Sequence, residues 1–240
     1  NLQNNFSIGD PIEGYVVGTI GQSIQLSVQN PEENNTVHFA KVLHIKPGDY
    51  AEVKIGMKDR RYLDIFDVSD EFKFNPLRQF KEGQVIDVAF IPDDDKHVST
   101  RPSAFEGIFP EVKEIEVGQI YKGYVSHHSE QGKFILVRLA RGVTGKLSRN
   151  KIADTYIKDP QELFPDGSVI TVKVESITND NGVKVINLTS RHSDLEGKLL
   201  TFEDMKVGDI LNGYISGVNE HGVYVNLLDF HKLSGLVHRS

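Results

Sequence analysis

The sequence predicts an all-β chain, a tandem row of small five-stranded Greek-key barrels, and three observations lead there. A Gly-Tyr-aliphatic phrase recurs at Gly14-Tyr15, Gly123-Tyr124 and Gly213-Tyr214. In every copy aliphatic residues alternate at period two on either side of a Gly turn, the mark of a half-buried hairpin. The middle copy then runs on through further strand-like segments until five are complete, so the chain reads as an array of repeats.

The copies open at Ile8, Val117 and Val207 with an aliphatic-Gly-(Asp or Gln) turn signal, and a second turn at Gly21, Gly132 or Gly222 returns the chain into SIQLSV, FILVRL or VYVNLL. In the middle copy Val143 to Leu147 reads as a third strand, Asp159 to Phe164 as a short helical turn, Ser168 to Ile177 as a fourth strand and Val183 to Ser190 as a fifth. Five short strands with a helical turn between strands three and four describe the OB architecture. The first copy has a matching tail: Gly83 answers Gly167, and Val98-Ser99-Thr100-Arg101 answers Leu188-Thr189-Ser190-Arg191. Its middle is longer, with VHFAKVLHI and RRYLDIFDV as rival third strands on either side of a KPGD turn, so an added hairpin is expected there. The last copy stops at its third strand.

The expected domains are therefore a divergent barrel with an enlarged middle at 6–103, a complete barrel at 113–193, and the first part of a third barrel at 203–240. A barrel without its last two strands leaves open edges, so the missing strands are expected in a longer parent chain. The linkers RPSAFEGIFPEVKEIEVG and RHSDLEGKLLTFEDMKVG are short and partly apolar, which predicts packed neighbours.

Composition narrows the function. No apolar run approaches the roughly 20 residues that span a bilayer, so no membrane partner is expected. Zero cysteines exclude disulfides and thiolate metal sites. The net charge of -7 argues against a uniformly basic nucleic-acid binder, but the average hides a patch. Residues 113–193 hold 12 basic and 9 acidic residues and are the only net positive segment; 1–76 hold 7 and 11, 77–112 hold 4 and 7, and 194–240 hold 4 and 7. Within it Lys133, Arg138, Arg141, Lys146, Arg149 and Lys151 stand between Gln131 and Lys151 with no acidic residue among them. Such a strip is an electrostatic footprint for RNA, or else a solvated basic face.

The phrase GLVHRS after VGDILNGYISGVNEHGVYVNLL resembles the signature of the S1 RNA-binding domain family. That signature is a Gly-x-Val first strand, a Gly-x-Phe second strand, a Gly-hydrophobic-Val-His-x-Ser third strand and a closing Leu-Ser-x-Arg. The resemblance covers residues 6–240, and NPLRQFKEGQVIDV and HVSTRPS are similar to phrases in the family's large nucleolar pre-ribosome scaffolds. It implies single-stranded RNA, or structured pre-rRNA, stacked on barrel aromatics beside a third-strand His and basic residues, with other ribosome-assembly proteins as partners. It also implies a nucleolar, nuclear setting, with the cytoplasm as the alternative.

Carried over copy by copy, Phe134 takes the second-strand aromatic position of the middle copy and Arg191 the closing basic one. Gln131 stands where an aromatic is common, and Ser148 replaces the His. In the last copy Tyr224 holds the aromatic position, His221 precedes Gly222, and His238 fills the His position, in acidic surroundings. The first copy has Ile20 and Ser23 at the aromatic positions and no Gly before Val37-His38, so it is expected to keep the barrel, lose the stacking platform and serve protein contacts or spacing. Tyr15, Tyr124 and Tyr214 alternate outward from the core, either extending a stacking surface or covering the barrel flank.

The sequence carries no catalytic or cofactor motif. His127 and His128 are neighbours and point to opposite faces of a strand, and Asp93-Asp94-Asp95 lacks the Gly and Glu of a calcium loop and reads as an acidic hairpin turn. The expected function is a non-catalytic RNA-binding scaffold of pre-rRNA processing and ribosomal subunit assembly. The alternatives are a protein-interaction spacer of a ribonucleoprotein, or an accessory segment of a ribonuclease or translation protein.

Overall fold

The computed structural model describes residues 14–20, 23–27, 37–55, 59–110, 114–180 and 182–239. The chain divides into two compact units, Asn1–Glu111 and Val112–Ser240.

In the first unit β1 (Tyr15–Ile20) and β2 (Ser23–Ser27) pair as a two-stranded antiparallel sheet. A closed barrel follows, made of β3 (His38–Lys46), β4 (Tyr50–Ile55), β5 (Asp59–Asp64), β6 (Val85–Phe90) and β7 (His97–Ser99) in the order β3-β4-β5-β7-β6. Alternate residues fill it: Ala40, Val42, Val53, Leu63, Val88 and Val98 are fully buried. This corrects the expected first barrel. VHFAKVLHI is neither a third strand nor part of an inserted hairpin; it is the barrel's own first strand, and the third strand lies in RRYLD. The reason is closure. β3 pairs antiparallel with β6 and β5 pairs parallel with β7, which completes the ring from residues 38–99 and leaves no ladder position for β1 or β2.

In the second unit β8 (Ile120–His128), β9 (Phe134–Ala140), β10 (Val143–Ser148), β11 (Val169–Asp180) and β12 (Val183–Thr189) close into a barrel of the same topology, again with strands three and five parallel. Its core is aliphatic, with Val125, Val137, Leu147, Val172 and Leu188 at its centre. The expected helical turn between strands three and four is α1 (Pro160–Leu163), whose N-cap Asp159 accepts bonds from the backbone N–H of Gln161 and Glu162. After the helix His192–Glu196 come β13 (Gly213–Asn219), β14 (Gly222–Leu227) and β15 (Ser234–His238), an antiparallel three-stranded sheet. This sheet is docked on the middle barrel, as the apolar linker predicts. Leu228 packs against the barrel core, Phe230 is buried, the N–H of Asp154 donates to Leu228 O at 3.3 Å, and Tyr214 Oη donates to Tyr156 O at 2.8 Å.

Four hairpins, not three, share one frame. In β1–β2, β3–β4, β8–β9 and β13–β14 the ladder slips by one residue at the same place, between Val16 and Gly18, Val42 and His44, Val125 and His127, and Ile215 and Gly217. A bulge at that point bends and twists the first strand, as a small barrel requires. The recurrent Gly before Tyr has its own cause: a Cβ on Gly123 would lie 2.3 Å from Arg138 O, and one on Gly213 would lie 2.5 Å from Val225 Cγ1.

The second repeated phrase is a clip. In the first barrel Ser99 Oγ donates to Asp67 O and Thr100 Oγ1 to Val68 O, while Arg101 Nε and the Ser103 N–H bind the Asp70 carboxylate at 2.8 and 3.0 Å. In the middle barrel Thr189 Oγ1 donates to Lys151 O and Ser190 Oγ to Ile152 O, and the Ser193 N–H binds Asp154 at 2.8 Å with Arg191 Nε 3.3 Å away.

Candidate nucleic-acid interface

Counting from the bulge places equivalent residues without reference to turn length. His127 faces Leu136 and Gly217 faces Tyr224, so Leu136, not Phe134, stands where Tyr224 stands. Phe134 faces Ser148 as Gly222 faces His238. Matching on Gly132 therefore moves the middle copy by two residues, because its hairpin loop is longer. A shift of two keeps each side chain on its own face of the sheet, so hydrophobic alternation gives no warning of it. In the first barrel the same two positions are Glu52, which faces His44, and Asp64, which faces Tyr50.

The third sheet carries both motif residues. Tyr224 faces Leu236 and His238 faces Gly222 on adjoining rungs of one side of the sheet, and both side chains are exposed. Tyr214, on the same side, bonds to Tyr156 O and accepts from Asn226 Nδ2 at 2.9 Å, so it covers the seam with the barrel rather than extending a free surface. Tyr124 is buried outside the core cluster. The side chain of Tyr15, like those of Ile20 and Ser23, lies outside the described residues.

The basic strip of the middle barrel is smaller in space than in sequence. Lys133 and Lys146 are exposed, and the Lys146 ammonium sits 4.8 Å from the centre of the half-buried Phe134 ring. Arg141 is half-buried in the β9–β10 turn, and Arg138 is only 7% exposed, which removes it from the expected open face. Arg149 folds back onto its own domain, donating to Ile157 O and Tyr156 Oη at 2.9 Å and to Lys158 O at 2.6 Å. Lys151 is paired with Glu175 and lies 3.6 Å from Asp194; the bond to Glu175, ahead of the two carboxylates' charge, holds its pKa above the usual lysine range. Arg191 belongs to the clip with Asp154, whose side chain is fully buried.

One aromatic group was missed. On the outer side of β4 and β5, Tyr50 and Tyr62 meet edge to face at 5.1 Å, Lys46 lies 5.6 Å from the Tyr50 ring, and His97 is 6.2 Å from Tyr62. The expected loss of a platform rested on Ile20 and Ser23, which belong to the β1–β2 hairpin and not to the barrel. The outward period of Tyr50 and Glu52 on one strand and of Arg60 and Tyr62 on the next was the available signal. Carboxylates accompany these rings: Glu52 binds Arg60, Asp49 binds Lys46, and Asp94 binds His97.

No family model matches the chain. Over its full length it is 25% identical across 262 residues to the rRNA biogenesis protein rrp5 of Schizosaccharomyces pombe, of which it spans 15%. It is 24% identical across 265 residues to small ribosomal subunit protein bS1 of Leuconostoc lactis, spanning 59% of that protein. Protein RRP5 homolog of Homo sapiens matches 68% of the chain at 27% identity, through 9% of its own length. Among solved structures, the solution structure of GSP13 from Bacillus subtilis covers 39% of this chain and 67% of its own at 21% identity, with a TM-score of 0.29. The chain resembles rrp5 and S1 proteins across its whole length while spanning only part of each.

Proposed function

We propose that this chain is a non-catalytic RNA-binding segment of rRNA processing and ribosomal subunit assembly, acting in the nucleolus on single-stranded RNA or unpaired stretches of pre-rRNA. The observation that carries this reading is the placement of Tyr224 and His238 on one exposed face, on adjoining rungs, at the two positions where the S1 family stacks and bonds a base. Likeness to rrp5 and bS1, proteins named for rRNA biogenesis and the small ribosomal subunit, supports the RNA class. The middle barrel adds Lys133, Phe134 and Lys146 as a second contact. The first barrel is read differently, because Glu52 occupies its aromatic motif position and Asp94 sits beside its aromatics, while Asp64, at the His position, is buried as the cap of Ile65–Asp67. Carboxylates repel phosphate, so this barrel is the protein-facing module, suited to basic segments of other assembly factors.

Fluorescence anisotropy of the 240-residue chain with a labelled ten-nucleotide oligouridylate tests the reading. Tyr224→Ala should weaken binding about 5- to 150-fold, the loss of about 1–3 kcal/mol of stacking on one base. Lys133→Glu with Lys146→Glu should reduce the slope of log affinity against log salt by about 1.4, the share of two phosphates on a single strand. Unchanged affinity and slope in both variants would remove the RNA assignment.

A further inference from the structure

At the seam between the middle barrel and the third sheet lies an open cavity of about 390 Å³ lined by Thr155, Tyr156, Tyr214, Asn226, His231 and Ser234. Of these only Tyr214 lies in the repeated Gly-Tyr phrase, and no single repeat builds the cavity: Thr155 and Tyr156 come from the barrel, the others from the sheet and its β14–β15 loop.

The walls are flat rings held in advance. The Tyr156 side chain is 70% exposed, yet it is not loose, because the Arg149 guanidinium lies 5.1 Å from its ring centre and donates to its hydroxyl. Arg149 is itself held by the carbonyls of Ile157 and Lys158, so this residue of the predicted basic strip acts as a positioning residue for Tyr156. Opposite, Tyr214 Oη donates to Tyr156 O, Asn226 Nδ2 donates to Tyr214 Oη, and Ser234 Oγ donates to Asn226 Oδ1 at 2.8 Å. His231 Nδ1 is 3.2 Å from Asp154 O. Little ordering remains to oppose a ligand. The volume is at the small end of ligand sites, about 300–1,000 Å³, and suits one base with its sugar.

Position selects the occupant. The Asn226–Ser234 pair is the rung next to Tyr224–Leu236 on the same side of the sheet, about 7 Å further along the strands. One extended nucleotide covers that step. The exposed Lys232 at the cavity mouth supplies a cation for the connecting phosphate.

From this we infer that the seam is a base-binding slot: a single strand of RNA lying on Tyr224 and His238 places a neighbouring nucleobase between Tyr156 and Tyr214. The inference rests on the RNA-face reading and makes two repeats one composite site.

The test uses the full chain with a labelled ten-nucleotide oligouridylate, and the same oligomer carrying 4-thiouridine for photocrosslinking. Tyr156→Ala should lose about 5- to 150-fold in affinity. Tyr156→Phe, which keeps the ring over Arg149 but loses the hydroxyl bond, should lose less affinity than Tyr156→Ala, and Ser234→Phe, which fills the slot with Tyr156 in place, should lose affinity like Tyr156→Ala. Crosslinks should map to Tyr156 and Tyr214. Binding by Tyr156→Ala and Ser234→Phe equal to that of the unaltered chain, with crosslinks confined to Tyr224 and His238, would overturn the slot and leave the RNA face intact. No binding by the unaltered chain would overturn both.

Discussion

The first barrel, residues 38–99, and the middle barrel, residues 120–189, are the same frame with opposite outer faces. Both close strands one to five in the same order, bulge at the same residue of the first strand, and end in the same Arg-Ser clip on an Asp. At matching register positions one has Tyr50, Glu52, Tyr62 and the buried Asp64, and the other Phe134, Leu136, Lys146 and Ser148. Both interiors are aliphatic and alternate at period two. The frame is therefore carried by inward residues, bulge and clip, and the two barrels differ at four positions on strands two and three. The third sheet, with Gly222, Tyr224, Leu236 and His238 there, is a third setting of the same positions.

The clip is where the two barrels differ most in energy. The Asp154 side chain is fully buried and Asp70 is 35% exposed, although each holds an Arg and a Ser N–H. Replacing one partner of a buried charged group leaves the other without compensation, whereas an exposed pair is screened. Asp154→Asn should cost about 3 kcal/mol and Asp70→Asn about 1 kcal/mol or less. Urea denaturation, read through amide exchange of β12 in one variant and β7 in the other, measures both. Equal losses would mean that burial does not set the value of the clip.

A smaller contrast lies on the first strand. Gly123 and Ala40 hold the same register, three residues before the residue the ladder skips, but a Cβ on Gly123 would meet Arg138 O at 2.3 Å, while Ala40 is a buried part of its core. Gly123→Ala should therefore destabilise the middle barrel by about 2 kcal/mol, the usual range for overpacking, though the first barrel lives with Ala there. A melting temperature unchanged by Gly123→Ala would show that β8 can move away from β9 freely.

Much of this was legible in the residues. The all-β repeats, the five strands of the middle barrel and its helical turn follow from period-two alternation and Gly turns. The first barrel was not legible, because its opening strand HFAKVLHIK lacks the Gly-Tyr phrase that marks the others, and Lys41 stands where Tyr124 and Tyr214 stand. The aromatic register was hidden by a loop two residues longer, which leaves polarity unchanged. The six cations of 131–151 add up in sequence but not as a surface: Arg138 is buried, Arg149 turns onto Ile157 and Lys158, and the partner of Lys151 is Glu175, far along the chain from the strip. Tyr156 carried no signal, since its role depends on a sheet that begins more than fifty residues later.

The acidic turn of the first barrel provides the finest contrast, because it fixes that barrel with a titrating group. Asp94 Oδ1 accepts from the N–H of Lys96 and of His97 at 3.0 Å, and Oδ2 lies 2.9 Å from His97 Nδ1. Burial alone would raise the carboxyl pKa, but the His97 bond, the backbone N–H groups and the His97 charge outweigh it and hold it at about 2. The folded value is below the unfolded one of about 3.9, so the stabilisation is present above about pH 4 and is lost as pH falls through the folded value near 2. At most about 2.6 kcal/mol is involved, less what solvent screens from a side chain partly open to water. Amide exchange of β6 and β7 should accelerate over that window in the unaltered chain, and Asp94→Asn should flatten the change. The same acid dependence persisting in Asp94→Asn would assign it to the other carboxylates of the barrel and free the turn from any part in holding β6 to β7.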